Sequence, residues 1–178
     1  MKLKKLQLNW GTTVALLVSF AALITTIYEA NILKSQQRAL VWPYFEVFPN
    51  YTSAGYSVVA RNLGTGPAII TSVETKYDGE PVGSFMDIID KLDPDSTISR
   101  YSFNYRSLNN TVLKAGEERI VFLMPWSTTT RKMIQKAKPL TFKVEYKSVL
   151  DEYWVYDFET KTHQEGRFKS SLEFYTSR

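Results

Sequence analysis

The most constraining feature of this chain is an uncharged stretch near its N-terminus. Residues 10–28 read WGTTVALLVSFAALITTIY and hold no charged side chain in nineteen positions. A helix of this length crosses the hydrocarbon core of a bilayer, which is about 30 Å thick. The α-helix is the expected form because lipid offers the backbone no hydrogen-bond partners. The sequence therefore predicts a transmembrane helix over 10–28.

The charge distribution predicts how this helix is oriented. The whole net charge of +4 lies in residues 1–42, where Glu29 opposes five basic side chains: Lys2, Lys4, Lys5, Lys34 and Arg38. Lysine and arginine next to a span are retained on the cytoplasmic side. We therefore expect a cytoplasmic tail over 1–9, a helix in the cell (inner) membrane, and a periplasmic or extracellular domain. Residues 43–178 are neutral overall and give no reason to expect nucleic-acid binding.

A cleavable signal peptide is the alternative to an uncleaved anchor. It requires small residues at positions −3 and −1 of the cleavage site. A cut after Ala30 would place Tyr28 at −3, and a cut after Ala21 would fall inside the apolar run. The uncleaved anchor is therefore the preferred interpretation. The chain contains no cysteine, which excludes disulfides and thiol catalysis.

The residues after the apolar run predict a stalk and one β domain. Residues 29–41 contain no Gly or Pro and are expected to continue the helix as a stalk that stops before Trp42-Pro43. Short β-prone runs separated by turn residues then fill 42–178. The candidate strands are 43–48, 55–62, 68–77, 97–103, 118–124, 140–146, 153–158 and 168–174.

These strands predict a mainly β fold. Residues 140–146 alternate apolar and polar side chains, as expected when one face of an antiparallel sheet is buried. Seven or eight such strands are typical of an immunoglobulin-like β-sandwich. Two short helices are expected within it, at 84–92 and at 128–138, the second stopped by Pro139.

Small residues recur along one side of the predicted anchor. They are Gly11, Ala15, Ser19 and Ala22. Such a stripe lets helix backbones approach closely and supports association in lipid, either with a second copy or with another membrane protein. The alternative is that the helix is a passive tether.

A basic amphipathic stretch near 128–138 is the candidate interaction surface. It contains Trp126, Arg131, Lys132, Lys136 and Lys138. Its cations can meet anionic lipid headgroups or a protein partner. The alternative is a helix that covers one end of the domain with a solvated charged face.

Two further motifs have weaker functional interpretations. The segment 61–70, RNLGTGPAII, resembles an anion-binding loop only in its glycines, and it is better explained as a tight turn between strands. Four aspartates, Asp87, Asp90, Asp93 and Asp95, are spaced closely enough for a Ca²⁺ site but do not match the EF-hand loop. We therefore predict no metal and no cofactor.

The sequence contains no constellation typical of an active site. His163 is the only histidine and lies in a polar stretch expected to be a hairpin loop. Asp151 and Glu152 are adjacent carboxylates in an expected turn, and a hydrolase built on such a pair is the least favoured alternative. We expect that the protein is not an enzyme.

Three segments carry a resemblance to known sequences. They are VWPYFEVF, GYSVVARNLGTGPAIITSV and VEYKSVLDEYW, which together span most of residues 40–155. They resemble uncharacterised bacterial single-pass proteins with an external β-rich domain and an N-x-G-x-G-P-A turn. Some members of that group carry cysteines near the Tyr-x-Ser element, where this chain has Lys147. The resemblance therefore implies architecture and location, with no role for a disulfide or thiol.

From these features we expect a membrane-anchored, non-enzymatic accessory protein. Its external domain would engage another envelope or membrane protein. The chain would contact the bilayer through residues 10–28 and would be able to form homo-oligomers. The alternative function is a tethered sensor for a sugar or small solute, which requires a concave, aromatic-lined pocket.

Overall fold

The computed structural model describes residues 9–94 and 103–168. The chain divides into two compact units, Met1–Leu40 and Val41–Arg178. Every buried hydrophobic side chain of the described residues belongs to the second unit. That unit therefore contains the hydrophobic core by itself.

The first unit contains one long helix, α1, which spans Trp10–Leu40. Its 31 residues make it about 46 Å long, and it is long and apolar enough to cross a membrane. Three hydroxyl groups within it donate hydrogen bonds of 2.8–3.0 Å to carbonyl oxygens four positions earlier: Ser19 to Ala15, Thr25 to Ala21 and Thr26 to Ala22. These polar side chains are thus satisfied inside the helix, as an apolar surrounding requires.

The second unit is built mainly of short strands. The helices are α2 (Phe85–Leu92) and α3 (Thr128–Lys136). The strands of the described residues are β1 (Phe45–Tyr51), β2 (Gly55–Asn62), β3 (Ala68–Tyr77), β4 (Glu80–Val82), β5 (Asn104–Tyr105), β6 (Thr111–Leu113), β7 (Glu118–Pro125), β8 (Leu140–Lys147), β9 (Tyr153–Asp157) and β10 (Thr162–Glu165).

The strands form two antiparallel sheets. One has the order β1-β2-β7-β5, and the other has the order β10-β9-β8-β3-β4, with β6 also paired to β3. Phe45 of the first sheet contacts Tyr146 and Tyr156 of the second, with ring centroids 5.6 and 5.9 Å apart. The Tyr156 hydroxyl also donates to the Val47 carbonyl oxygen at 3.2 Å. The two sheets therefore share one core.

Each short helix begins with a capping box. The Ser84 hydroxyl accepts from the Asp87 N–H, and the Asp87 carboxylate accepts from the Ser84 N–H. Ser127 and Thr130 make the same reciprocal pair at the start of α3. These pairs satisfy backbone donors that the first helical turn leaves open.

The prediction of a mainly β chain with an N-terminal apolar helix is confirmed. Helices α2 and α3 lie inside the predicted segments 84–92 and 128–138. Four short strands, β4, β5, β6 and β10, were not predicted from the sequence. The predicted strand 97–103 lies outside the described residues except for Phe103, and 168–174 lies outside them except for Phe168.

The polar face predicted for 140–146 is only partly correct. Lys143 is exposed, but Glu145 on the same face of β8 is only 3 % exposed. Its carboxylate accepts hydrogen bonds from the Thr71 hydroxyl at 2.7 Å and from the Phe168 N–H at 3.0 Å. The outer face of this sheet is therefore covered beside Glu145.

Thr75 is a buried polar residue whose replacement should stabilise the domain. It is fully buried, and its hydroxyl makes no hydrogen bond among the described residues. Thr75→Val keeps the shape and removes the unsatisfied group, so we expect the free energy of unfolding to rise by about 1 kcal/mol. Urea denaturation measures this change. Thr75→Ser is the control and should lower stability, because it keeps the hydroxyl and removes a methyl group. A loss of stability in Thr75→Val would contradict the prediction.

Candidate functional site

A cavity of about 440 Å³ lies at the end of the second unit where β1 turns into β2. Helices α2 and α3 and the ends of both sheets enclose it. The described residues that line it are Pro49, Tyr51, Tyr56, Val58, Tyr77, Phe85, Ile88, Ile89, Leu92, Phe122, Met124, Ile134, Ala137, Lys138, Pro139, Leu140, Phe142 and Phe158. A cavity of this volume is within the range of small-molecule sites.

The cavity wall is predominantly apolar and aromatic. Phe85 of α2 stacks on Phe122 of β7, with ring centroids 4.8 Å apart. Phe142 of β8 meets Phe158 edge-on at 5.7 Å. These rings come from both sheets and from α2, so the fold fixes the shape of the wall. Such a surface favours the burial of apolar groups.

A few polar groups interrupt the apolar wall. The Tyr77 hydroxyl accepts a hydrogen bond of 3.0 Å from the Lys138 backbone N–H, and Tyr77 is only 6 % exposed. Burial raises the pKa of Tyr56 to about 12, so its hydroxyl stays protonated near neutral pH. Lys138 is the only charged residue among the described lining residues.

The structure divides the predicted basic surface into two parts. The Trp126 indole N–H donates to the Thr52 carbonyl oxygen at 2.7 Å, and the Arg131 guanidinium lies 4.8 Å from the Trp126 ring centre. Tyr51 also stacks on Trp126, with ring centroids 6.5 Å apart. Lys138 lines the cavity instead, beside Ile134 and Ala137. Lys132 and Lys136 are exposed on α3.

The glycine-rich turn is organised around a buried amide, which explains its composition without an anion. Asn62 is fully buried, and its Oδ1 accepts from the N–H groups of Tyr44 and Gly64 at 3.1 and 3.0 Å. Its Nδ2 donates to the carbonyl oxygens of Gly66, Leu113 and Lys114. The turn after β2 is thereby tied to the chain before β1 and to the segment after β6.

The remaining candidate residues that the structure describes all interact with other parts of the chain. The Asp87 carboxylate caps α2, Asp93 is the C-terminal cap of that helix, and Asp95 lies outside the described residues. Asp151 accepts a hydrogen bond of 2.6 Å from Lys147. Its backbone has a φ of 57°, which fits the predicted turn.

His163 is in a strand, so the prediction that it lies in a hairpin loop is wrong. It pairs with Tyr156 across β9 and β10, and its Nδ1 lies 2.9 Å from the Tyr146 hydroxyl. Burial lowers the pKa of His163, so its neutral form is favoured. This histidine therefore contributes to the packing between β10 and its neighbours.

The small-residue stripe of α1 stays a prediction. Gly11, Ala15, Ser19 and Ala22 are exposed, and a Cβ at Gly11 would meet no atom within 4 Å. The surface that association would use is therefore accessible in the single chain.

Sequence reasoning missed most of the cavity. Tyr77, Phe85 and Phe158 were unremarkable members of a strand, a helix and a strand end. Only Lys138 had been identified as a functional candidate. The sequence signal for such a cavity is the aromatic content of 14 %, and composition does not indicate which rings lie together in the fold.

The comparisons with known proteins add no further assignment. No protein-family model matches the chain, and no curated protein is significantly similar to it.

Proposed function

We propose that this protein is a membrane-tethered, non-enzymatic binding protein that takes up a small, largely apolar molecule in the cavity between α2 and α3. This corresponds to the tethered sensor that the sequence offered as an alternative. The observation that carries the proposal is the aromatic-lined cavity of about 440 Å³. A site for a sugar would need many converging hydrogen-bonding groups, and the described wall has few.

A neutral fluorescent probe tests this proposal. N-phenyl-1-naphthylamine should bind residues 41–178 and increase in fluorescence, because that segment contains the core and the whole described cavity wall. Ala137→Trp should reduce binding by at least about tenfold, since Ala137 is an exposed residue of the cavity lining and a large ring there would obstruct the cavity. The measurement is a fluorescence titration, after circular dichroism has shown that each variant unfolds cooperatively.

Gln135→Trp is the matched control for this experiment. Gln135 is exposed on α3, two positions before Ala137, and is not among the lining residues. The Gln135→Trp variant should bind the probe as tightly as the wild type does. Equal binding by Ala137→Trp and the wild type would show that the probe uses another surface. Absence of binding by the wild type would refute the proposed function.

A protein partner is the second candidate function, and one cluster favours it. Tyr51 is 63 % exposed and stacks on Trp126, which in turn carries the Arg131 guanidinium. Tyrosine, tryptophan and arginine are the residues most enriched in interface hot spots. Co-purification with the full chain tests this function. The expected result is a membrane or envelope protein in stoichiometric amount, which both Tyr51→Ala and Arg131→Ala lose.

The fold is inferred to be an immunoglobulin-like sandwich. The order β1-β2-β7-β5 corresponds to strands A-B-E-D of that fold, and β9-β8-β3 corresponds to G-F-C. The resemblance to uncharacterised bacterial anchored proteins agrees with this inference. We also propose that α1 is an uncleaved anchor with a cytoplasmic N-terminus and an external second unit, because the excess basic charge precedes the span.

A further inference from the structure

We propose that the cavity ligand is an amphiphile with a single anionic group, whose apolar part fills the aromatic wall and whose anion lies between Lys138 and the Tyr77 hydroxyl. This inference rests on the proposed function and defines its ligand class. A carboxylate on a short alkyl or aryl body is the simplest molecule of this class.

Tyr77 and Lys138 are neighbouring polar residues of a predominantly apolar wall. The Lys138 backbone N–H donates to the Tyr77 hydroxyl oxygen at 3.0 Å, which fixes the two residues side by side. The Tyr77 hydroxyl proton has no acceptor among the described residues, although the side chain is 94 % buried. A buried donor without an acceptor is unfavourable, and a carboxylate oxygen would satisfy it.

The charges near this point favour an anion over a cation. Among the described residues, Lys138 is the only charged member of the lining, and it makes no ion pair with another of them. Lys138 is exposed, as are Arg131, Lys132 and Lys136 of α3, which ends two positions before it. Asp78 is the acidic residue next to Tyr77 in the chain, and its backbone N–H donates to the Pro139 carbonyl oxygen at 3.0 Å. Its removal should therefore strengthen the binding of an anion.

Three ligands with the same alkyl chain test this inference: octanoate, 1-octanol and octylammonium. Each is titrated by calorimetry into the full chain in zwitterionic nanodiscs, with empty nanodiscs as the blank. We expect octanoate to bind about tenfold more tightly than octanol, and octylammonium to bind most weakly. Lys138→Gln should reduce the octanoate affinity to that of octanol without changing the octanol affinity, since the backbone bond to Tyr77 remains.

Two variants distinguish a direct contact between Lys138 and the anion from the general electrostatic field of nearby charges. Lys132→Gln removes the same charge from an exposed position outside the lining and should change octanoate binding less than about twofold. Asp78→Asn should strengthen octanoate binding, and asparagine tolerates the φ of 55° at this position. Equal affinities for octanoate and octanol, or equal losses in Lys138→Gln and Lys132→Gln, would overturn the anionic assignment alone. Binding of none of the three ligands would also overturn the anionic assignment, and the proposed function would fall with it only if N-phenyl-1-naphthylamine does not bind either.

Discussion

Replacement of Asn62 by alanine is expected to lower the free energy of unfolding of the second unit by about 3–5 kcal/mol. The Asn62 side chain is fully buried and makes five hydrogen bonds, all to backbone groups. Alanine leaves the N–H groups of Tyr44 and Gly64 and three carbonyl oxygens without this partner. The cavity left behind adds to the cost.

Urea denaturation of residues 41–178, followed by tryptophan fluorescence, measures this effect. Asn62→Asp tests the amide donor specifically. It keeps the shape of the side chain and both acceptor contacts, but it places a carboxylate oxygen against the three carbonyl oxygens that the amide had bonded. Its loss of stability should therefore be greater above the carboxyl pKa than below it. Asn104→Ala is the control, since Asn104 is exposed on β5. A loss at Asn62→Ala no larger than that of Asn104→Ala would contradict the role assigned to the amide.

The parts of the fold that could be predicted are those whose signal is local. The alternation in β8 and the proline after α3 each identify an element from a few neighbouring residues. Strands β5 and β6, of two and three residues, carry no such signal, because they exist through pairing with β7 and β3. Glu145 is polar by sequence but buried, and its carboxylate accepts a hydrogen bond from the Phe168 N–H, 23 positions later.

The candidate site was less predictable for the same reason. Tyr51, Tyr77, Phe122 and Phe158 come from segments far apart in the chain, and each resembles an ordinary core residue by sequence. The Asn62 amide shows the same limit, since its partners include Leu113 and Lys114, more than fifty positions away. Lys138 is predictable as a functional candidate, because its charge and the amphipathic pattern around it are evident from neighbouring residues alone.

The two ends of the second unit differ in what their residues do. At the end where β1 begins, buried hydrogen bonds from Asn62 hold the turns together. At the end where β1 finishes, apolar residues enclose a cavity. The distinctive glycine motif thus stabilises the fold, whereas the less distinctive aromatic residues form the candidate site. Substitutions in the motif should therefore change stability, and substitutions in the cavity wall should change binding.

Gly66→Ala is expected to lower the free energy of unfolding by about 3 kcal/mol or more, the second largest effect. A Cβ at Gly66 would lie 2.2 Å from the Val41 carbonyl oxygen and 2.5 Å from the Val41 Cα. These are backbone atoms, so no side chain can rotate to relieve the overlap. The Gly66 carbonyl oxygen also accepts from the Asn62 amide, so a displaced turn weakens that bond as well.

Gly116→Ala is the matched control for this prediction. Gly116 has a φ of 73°, but a Cβ there would meet no atom within 4 Å. Its substitution should cost only about 1 kcal/mol, through backbone conformation. Gly66 has no positive φ, so its larger cost isolates the close approach of the turn to residue 41. Equal losses for the two variants in urea denaturation would show that the turn lies further from Val41 than the structure places it, because the steric overlap at Gly66 is the reason for expecting the larger loss there.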